Sequence, residues 1–223
     1  MSRTAFLFTL LATLVAACVF YSDPDLDLRI ARLFFDHGFL GASPLARAAR
    51  GFFYGLPLTL CLGFVLARWP GAGFLPPALV PSSRAVAFVV LSMAIGPGLV
   101  VNLGLKDNMH RPRPAQVKEF GGPWDFRPVF ARDGECRRNC SFVSGEASSA
   151  FWLAAPASLA PGPLKIPAMA AAVGVGVVTS VLRMAFGGHF LADVVFAALI
   201  TLLLLQILHA LIFAGLRGAP ARL

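Results

Sequence analysis

The sequence predicts an all-α integral membrane protein: a six-span helical bundle with an interfacial helix after the first span. Three observations carry that prediction. Of the 223 residues, 57% are hydrophobic and only 13% are charged, and mean hydropathy is +0.75, whereas a soluble domain carries about 25% charged residues. The apolar residues fall in runs long enough to cross a bilayer. The charges gather between the runs, where they meet water or headgroups.

The first span covers residues 4–21, preceded by Arg3. No small-residue cleavage pattern stands before the acidic stretch at 22–27, and more spans follow, so this helix is expected to be retained rather than removed as a signal peptide. In the next stretch Leu26, Ile30, Leu33 and Phe34 recur at helical spacing opposite Asp25, Arg29, Arg32 and Asp36, the pattern of an amphipathic interfacial helix. A second span runs over 52–67, with Pro57 as a kink. After a Pro/Gly-rich loop at 70–83 comes a third span at 85–105. Gly96, Pro97 and Gly98 interrupt it, and such breaks are accepted in membranes where neighbours re-satisfy the backbone, so a bend beside a packed site is expected. Residues 106–143 are polar and too long for a simple turn. A fourth span is expected at 147–159, a tight turn at Pro161, Pro163 and Lys165, a fifth span at 166–182 and a sixth at 191–216. The whole chain is expected to form one membrane domain, with two spans and the interfacial segment in 1–84 and a four-span core in 85–216.

Formal net charge is +8 and pI is near 10.2. Nucleic acid is the weakest reading, because the cations are scattered over loops without a binding module; anionic lipid or phosphate fits better. With six spans both termini share one side, and loop 106–143 faces the other together with 183–189. The positive-inside rule then meets a conflict: the terminal side holds six of the Lys and Arg residues and the opposite side thirteen. Cys18 and Cys61 fall in apolar runs. Cys136 and Cys140 lie together in the polar loop, where a disulfide would imply an oxidising compartment and a pair of free thiols is the alternative.

Three polar groups converge on the same membrane face. They are Lys106 and Arg113 in KDNMHRPRP, Ser144, Gly145 and Glu146 in NCSFVSGEAS, and Arg183, His189 and Asp193 in LRMAFGGHFLADV. Fixed cations neutralise the non-bridging oxygens of a phosphate, and arginine forks bind them two at a time. Ser144 and Gly145 open a helix whose free N–H groups favour an anion. A neutral imidazole at His189 can attack phosphorus, with Asp193 fixing its tautomer. The pattern calls for no metal and no cofactor.

This constellation resembles the type 2 phosphatidic acid phosphatases, membrane members of a vanadium-haloperoxidase-like superfamily. Lys106, six residues, Arg113 and Pro114 match the first family motif; Arg183, five residues, His189, three residues and Asp193 match the third. The resemblance covers 85–216. It implies a lipid-phosphate phosphatase in which His189 forms a phosphohistidine, Asp193 supports it, and Lys106, Arg113, Arg183, Ser144 and Gly145 cradle the phosphate. It also implies a bacterial inner-membrane protein with its site facing the periplasm. The second motif departs from the family, which usually has a histidine where this chain has Glu146. A carboxylic acid could protonate the leaving oxygen if burial raised its pKa, while nearby cations would oppose that rise; His110 is a substitute donor. Phosphotransfer to a second lipid, or an inactive lipid-phosphate-binding or transport homologue, are the alternatives. Arg111, Arg127, Arg132, Arg137 and Arg138 read as solvated surface, and Trp124 and Phe126 as interface anchors.

Overall fold

A computed structural model describes residues 2–69, 76, 80–106 and 108–214. Most of loop 70–83 and the basic end of the chain lie outside the described residues. Among those described there is no β-strand, and five helices are long and apolar enough to cross a membrane.

Helix α1 (Arg3–Ser22) begins with Ser2, whose hydroxyl accepts from the Ala5 N–H at 3.1 Å. It packs chiefly on α8, the last helix, and turns at Asp23 into α2 (Leu26–Arg32). Helix α3 (Pro44–Ala67) starts with Pro44 after the N-cap Ser43, a position where proline lacks only an N–H that would be unpaired anyway. Helix α4 (Ser83–Met93) runs on into a π-helical segment, Ala94–Leu105. Pro97 denies that segment a regular backbone bond, and the wider spacing is visible where Lys106 N–H reaches back five residues to the Val101 carbonyl at 3.2 Å. The bend expected from Gly96-Pro97-Gly98 therefore takes the form of a π-segment, at whose end Asn102 and Lys106 line a cavity.

The expected fourth span is the element that differs most from the sequence reading. Residues 147–159 do not form one helix; the chain makes α5 (Gly145–Phe151) and α6 (Ala154–Ser158), broken at Trp152 and Leu153. Together they rise about 21 Å, short of a hydrocarbon core of about 30 Å. Their polar backbone is tolerated because protein surrounds it. Ala147, Ala150, Ala154 and Ala155 are fully or almost fully buried, and such small side chains let helices approach closely in lipid. Trp152 is buried as well, its indole N–H donating to Ser92 Oγ on α4 at 2.8 Å. Helix α7 begins earlier than expected and spans Gly162–Ala185, with the anticipated turn residues Pro163 and Lys165 inside its first turns. Helix α8 (Leu191–Phe213) completes the bundle. Leucines at 7, 11, 58, 62, 103 and 211 stay exposed on the outer helices, as lipid-facing positions should.

Candidate active site

The loop before α8 sets the geometry. Gly187 has φ +61°, and a Cβ there would fall 2.4 Å from the Phe39 ring, so only glycine turns the chain at this point. The turn delivers His189, which is 2% exposed. Its Nδ1 lies 2.7 Å from the Ser141 carbonyl. A carbonyl only accepts, so Nδ1 carries the proton and Nε2 keeps its lone pair. Burial, with the Arg183 and Arg113 charges, pushes the imidazole down to about 4 against the opposing pull of Asp193. His189 is thus a neutral base at ordinary pH.

Asp193 stands beside the imidazole at ion-pair distance rather than in close hydrogen-bond contact. Its Oδ2 is 3.8 Å from Nδ1; the Ser141 carbonyl makes the close contact instead. The carboxylate accepts from the Phe190 N–H at 2.7 Å, capping α8, and from the Ser141 hydroxyl. Its other oxygen accepts from Arg111 Nη1 at 2.7 Å. Asp193 therefore holds both the turn and the strip of chain that orients His189.

Arg111 overturns its reading as solvated surface. It is fully buried and bridges two carboxylates, donating from Nη2 to Asp27 Oδ2 at 2.6 Å as well as to Asp193. Its Nε donates to the Arg127 carbonyl at 3.0 Å, and the guanidinium lies 4.5 Å from the Phe190 ring centre. Asp27, on α2, accepts from Ala192 N–H at 2.8 Å with its second oxygen. The side of α2 turned inward is accordingly Asp27, Leu28 and Ala31, while Leu33 is exposed.

A cavity of about 500 Å³ opens beside His189. Lys106, Arg113, Gly145, Glu146 and Arg183 line it, together with Arg50, Tyr54, Asn102 and Asn139. Arg113 is gripped by Asn139, donating from Nη2 to its carbonyl at 2.9 Å and its side-chain oxygen at 2.8 Å. Asn139 sits inside the five-residue loop closed by the Cys136–Cys140 disulfide. Of the two alternatives that the sequence left open, the disulfide is the one present, and Asn139 in its loop lines the site. Arg183 is 4% exposed, and its Nε donates to no described residue. Arg183 lines the cavity, and its guanidinium is suited to binding phosphate oxygens.

Three other expected residues take different places. The Ser144 hydroxyl caps α5, accepting from Ala147 N–H at 3.3 Å, and does not line the cavity. His110 also lies off the cavity, with Nδ1 2.9 Å from the Cys136 carbonyl. Glu146 does line it, but as the acceptor of a two-pronged ion pair with Arg50, 3.0 Å at Nε and 2.6 Å at Nη2. A carboxylate holding a guanidinium fork is ill placed to donate a proton. Arg50 itself, ahead of the second span, was missed; in sequence it looks like any interfacial cation flanking a span.

Gly145 is required for space. A Cβ there would stand 2.6 Å from Asn102 Oδ1 and 3.2 Å from Lys106 Nζ. Gly145→Ala is expected to displace both and lower kcat/KM by about 10²-fold with a near-native melting temperature, measured by phosphate release and thermal unfolding.

Residues 85–216 match the PAP2 superfamily. The chain belongs to that family. It is 35% identical over 220 residues to a lipid A 4'-phosphatase of Francisella tularensis subsp. novicida, covering 96% of this chain and 98% of that one. It is 32% identical over 217 residues to a lipid A 4'-phosphatase of Rhizobium leguminosarum, covering 86% and 90%. A Rhizobium etli protein of the same name is 39% identical over 120 residues, covering 54% and 47%. No solved structure matches. The protein is an integral membrane phosphatase of the PAP2 superfamily.

Proposed function

We propose that this PAP2-superfamily phosphatase removes a phosphomonoester from a lipid of the lipid A type through a phosphohistidine. The observation that carries the reading is His189, a neutral imidazole with Nδ1 occupied and Nε2 free, set among the Lys106, Arg113 and Arg183 cations. Nε2 attacks phosphorus in line, the P–O bond to the lipid alcohol breaks, and the leaving oxygen departs opposite the imidazole. The cations neutralise the equatorial oxygens as charge spreads over them. Tyr54 and Lys106 line the cavity and carry transferable protons for the leaving oxygen. Water then attacks the phosphohistidine, releasing phosphate and restoring the neutral imidazole.

The name shared by the three relatives supports lipid A as the substrate class. The Cys136–Cys140 bond supports a site on the periplasmic side of a bacterial inner membrane. The cations that upset the positive-inside count include Lys106, Arg113 and Arg183, which the cavity engages; they sit there for chemistry rather than topology.

The test is to mix enzyme with lipid A radiolabelled at its phosphates, quench rapidly and separate the protein. Label that is acid-labile and alkali-stable is expected on the wild type and absent from His189→Ala. Absence of protein-bound label from a wild type that is turning over would overturn the covalent route.

A further inference from the structure

We propose that Arg50, outside the family-matched stretch, is a fourth cation of the phosphate site, and that Glu146 is the positioning residue that aims it. This rests on the phosphatase reading above and extends its site to α3. Arg50 lines the same cavity as His189 and the three motif cations. Glu146 engages its Nε and Nη2 at 3.0 and 2.6 Å, and the Phe186 ring supports the guanidinium at 5.4 Å. Nη1 donates to no described residue and stays available to an oxygen in the cavity. The same Glu146 Oε1 lies 3.5 Å from Arg183 Nη1, so one carboxylate joins cations from α3 and α7.

The charge balance explains why a carboxylate belongs here. Arg50, Lys106, Arg113 and Arg183 line one cavity, where like charges repel one another. Glu146 offsets one charge and fixes two guanidinium groups before substrate arrives. The remaining excess of positive charge suits a phosphomonoester, which carries close to two negative charges at neutral pH, better than a singly charged diester. Glu146 stands where the family usually has a histidine, so this chain replaces a side chain acting on the leaving group with one that orders a cation.

The experiment uses full-length enzyme in detergent with Arg50→Gln, Arg50→Lys, Glu146→Gln and the Arg50→Gln/Glu146→Gln pair. KM for lipid phosphate is measured alongside the Ki of inorganic phosphate. Arg50→Gln is expected to raise both about ten-fold with a smaller change in kcat, and Arg50→Lys to recover part of the loss. Glu146→Gln is expected to raise both as well, although it removes a negative charge, and the double variant to be no worse than Arg50→Gln. Unchanged constants in a folded Arg50→Gln, verified by its melting temperature, would overturn the proposal. So would a lower phosphate Ki in Glu146→Gln, which would make Glu146 a mere repulsive charge. Loss of lipid turnover in Glu146→Gln with p-nitrophenyl phosphate turnover intact would make Glu146 a proton donor and overturn it too. Phosphate binding needs no nucleophile, so the Kd of inorganic phosphate, measured in His189→Ala with and without Arg50→Gln, separates failure of this proposal from failure of the covalent route.

Discussion

Arg111→Met is expected to cost about 3–5 kcal/mol of stability, because it strands two buried carboxylates without a counter-charge. Asp27 and Asp193 each take one arm of Arg111, and neither side chain is more than 2% exposed. Folded proteins have a margin of about 5–15 kcal/mol, so a loss of this size brings the variant to the edge of folding. Arg111→Lys should fall between the two, since an ammonium keeps the charge but cannot reach two carboxylates and the Arg127 carbonyl with a planar fork. The measurement is thermal unfolding in detergent. A wild-type melting temperature for Arg111→Met would show the network to be dispensable, and Asp27→Asn should be milder because it leaves the Asp193 pair intact.

His189→Ala is expected to lower turnover by at least about 10³-fold while the protein stays folded, because the capping and ion-pair work of the loop is done by Asp193. The acid behaviour of the wild type gives a second reading of the same residue. An imidazole pushed down to about 4 from 6.5 takes its proton only in more acid solution. The nucleophile therefore stays active between those two values and is lost as pH falls through the lower one. The substrate phosphate titrates near 6, so a rate profile alone would mix the two groups. Modification by diethyl pyrocarbonate, scored as loss of activity, reports the imidazole by itself. Inactivation that already slows around pH 6.5 would mean that His189 is more exposed to water than its 2% accessibility allows.

Much of this was legible in the chain because the hydrophobic period and motif spacing are local signals. Lys106 and Arg113 are separated by a fixed count, and so are Arg183 and His189; the cavity collects all four. The irregularity in the third span announced itself through Pro97 between two glycines, although its π-helical form did not. What stayed hidden depends on contacts far apart in sequence. Asp23, Asp25 and Asp27 look alike in SDPDLDLR, and only the return of α2 beneath the start of α8 selects Asp27 for burial. Arg111 is one of six arginines in the 106–143 loop, and its neighbours Asp27 and Asp193 are more than eighty positions away. Arg50 and Glu146 are 96 positions apart, so neither residue reveals the other. The broken fourth crossing was missed because composition reports that a segment is apolar, not whether lipid or protein surrounds it.

The Asp27–Arg111–Asp193 bridge ties together a segment translated early, a central loop and the helix translated last. A ribosome-bound chain that has inserted its first five apolar segments still lacks Asp193, and Arg111 has only half its partners. The network around His189 is therefore complete only once the final helix is in place. By the same logic a fragment trimmed to 85–216 would lack both Asp27 and Arg50. The stretch that matches the family model is thus smaller than the unit that has to fold.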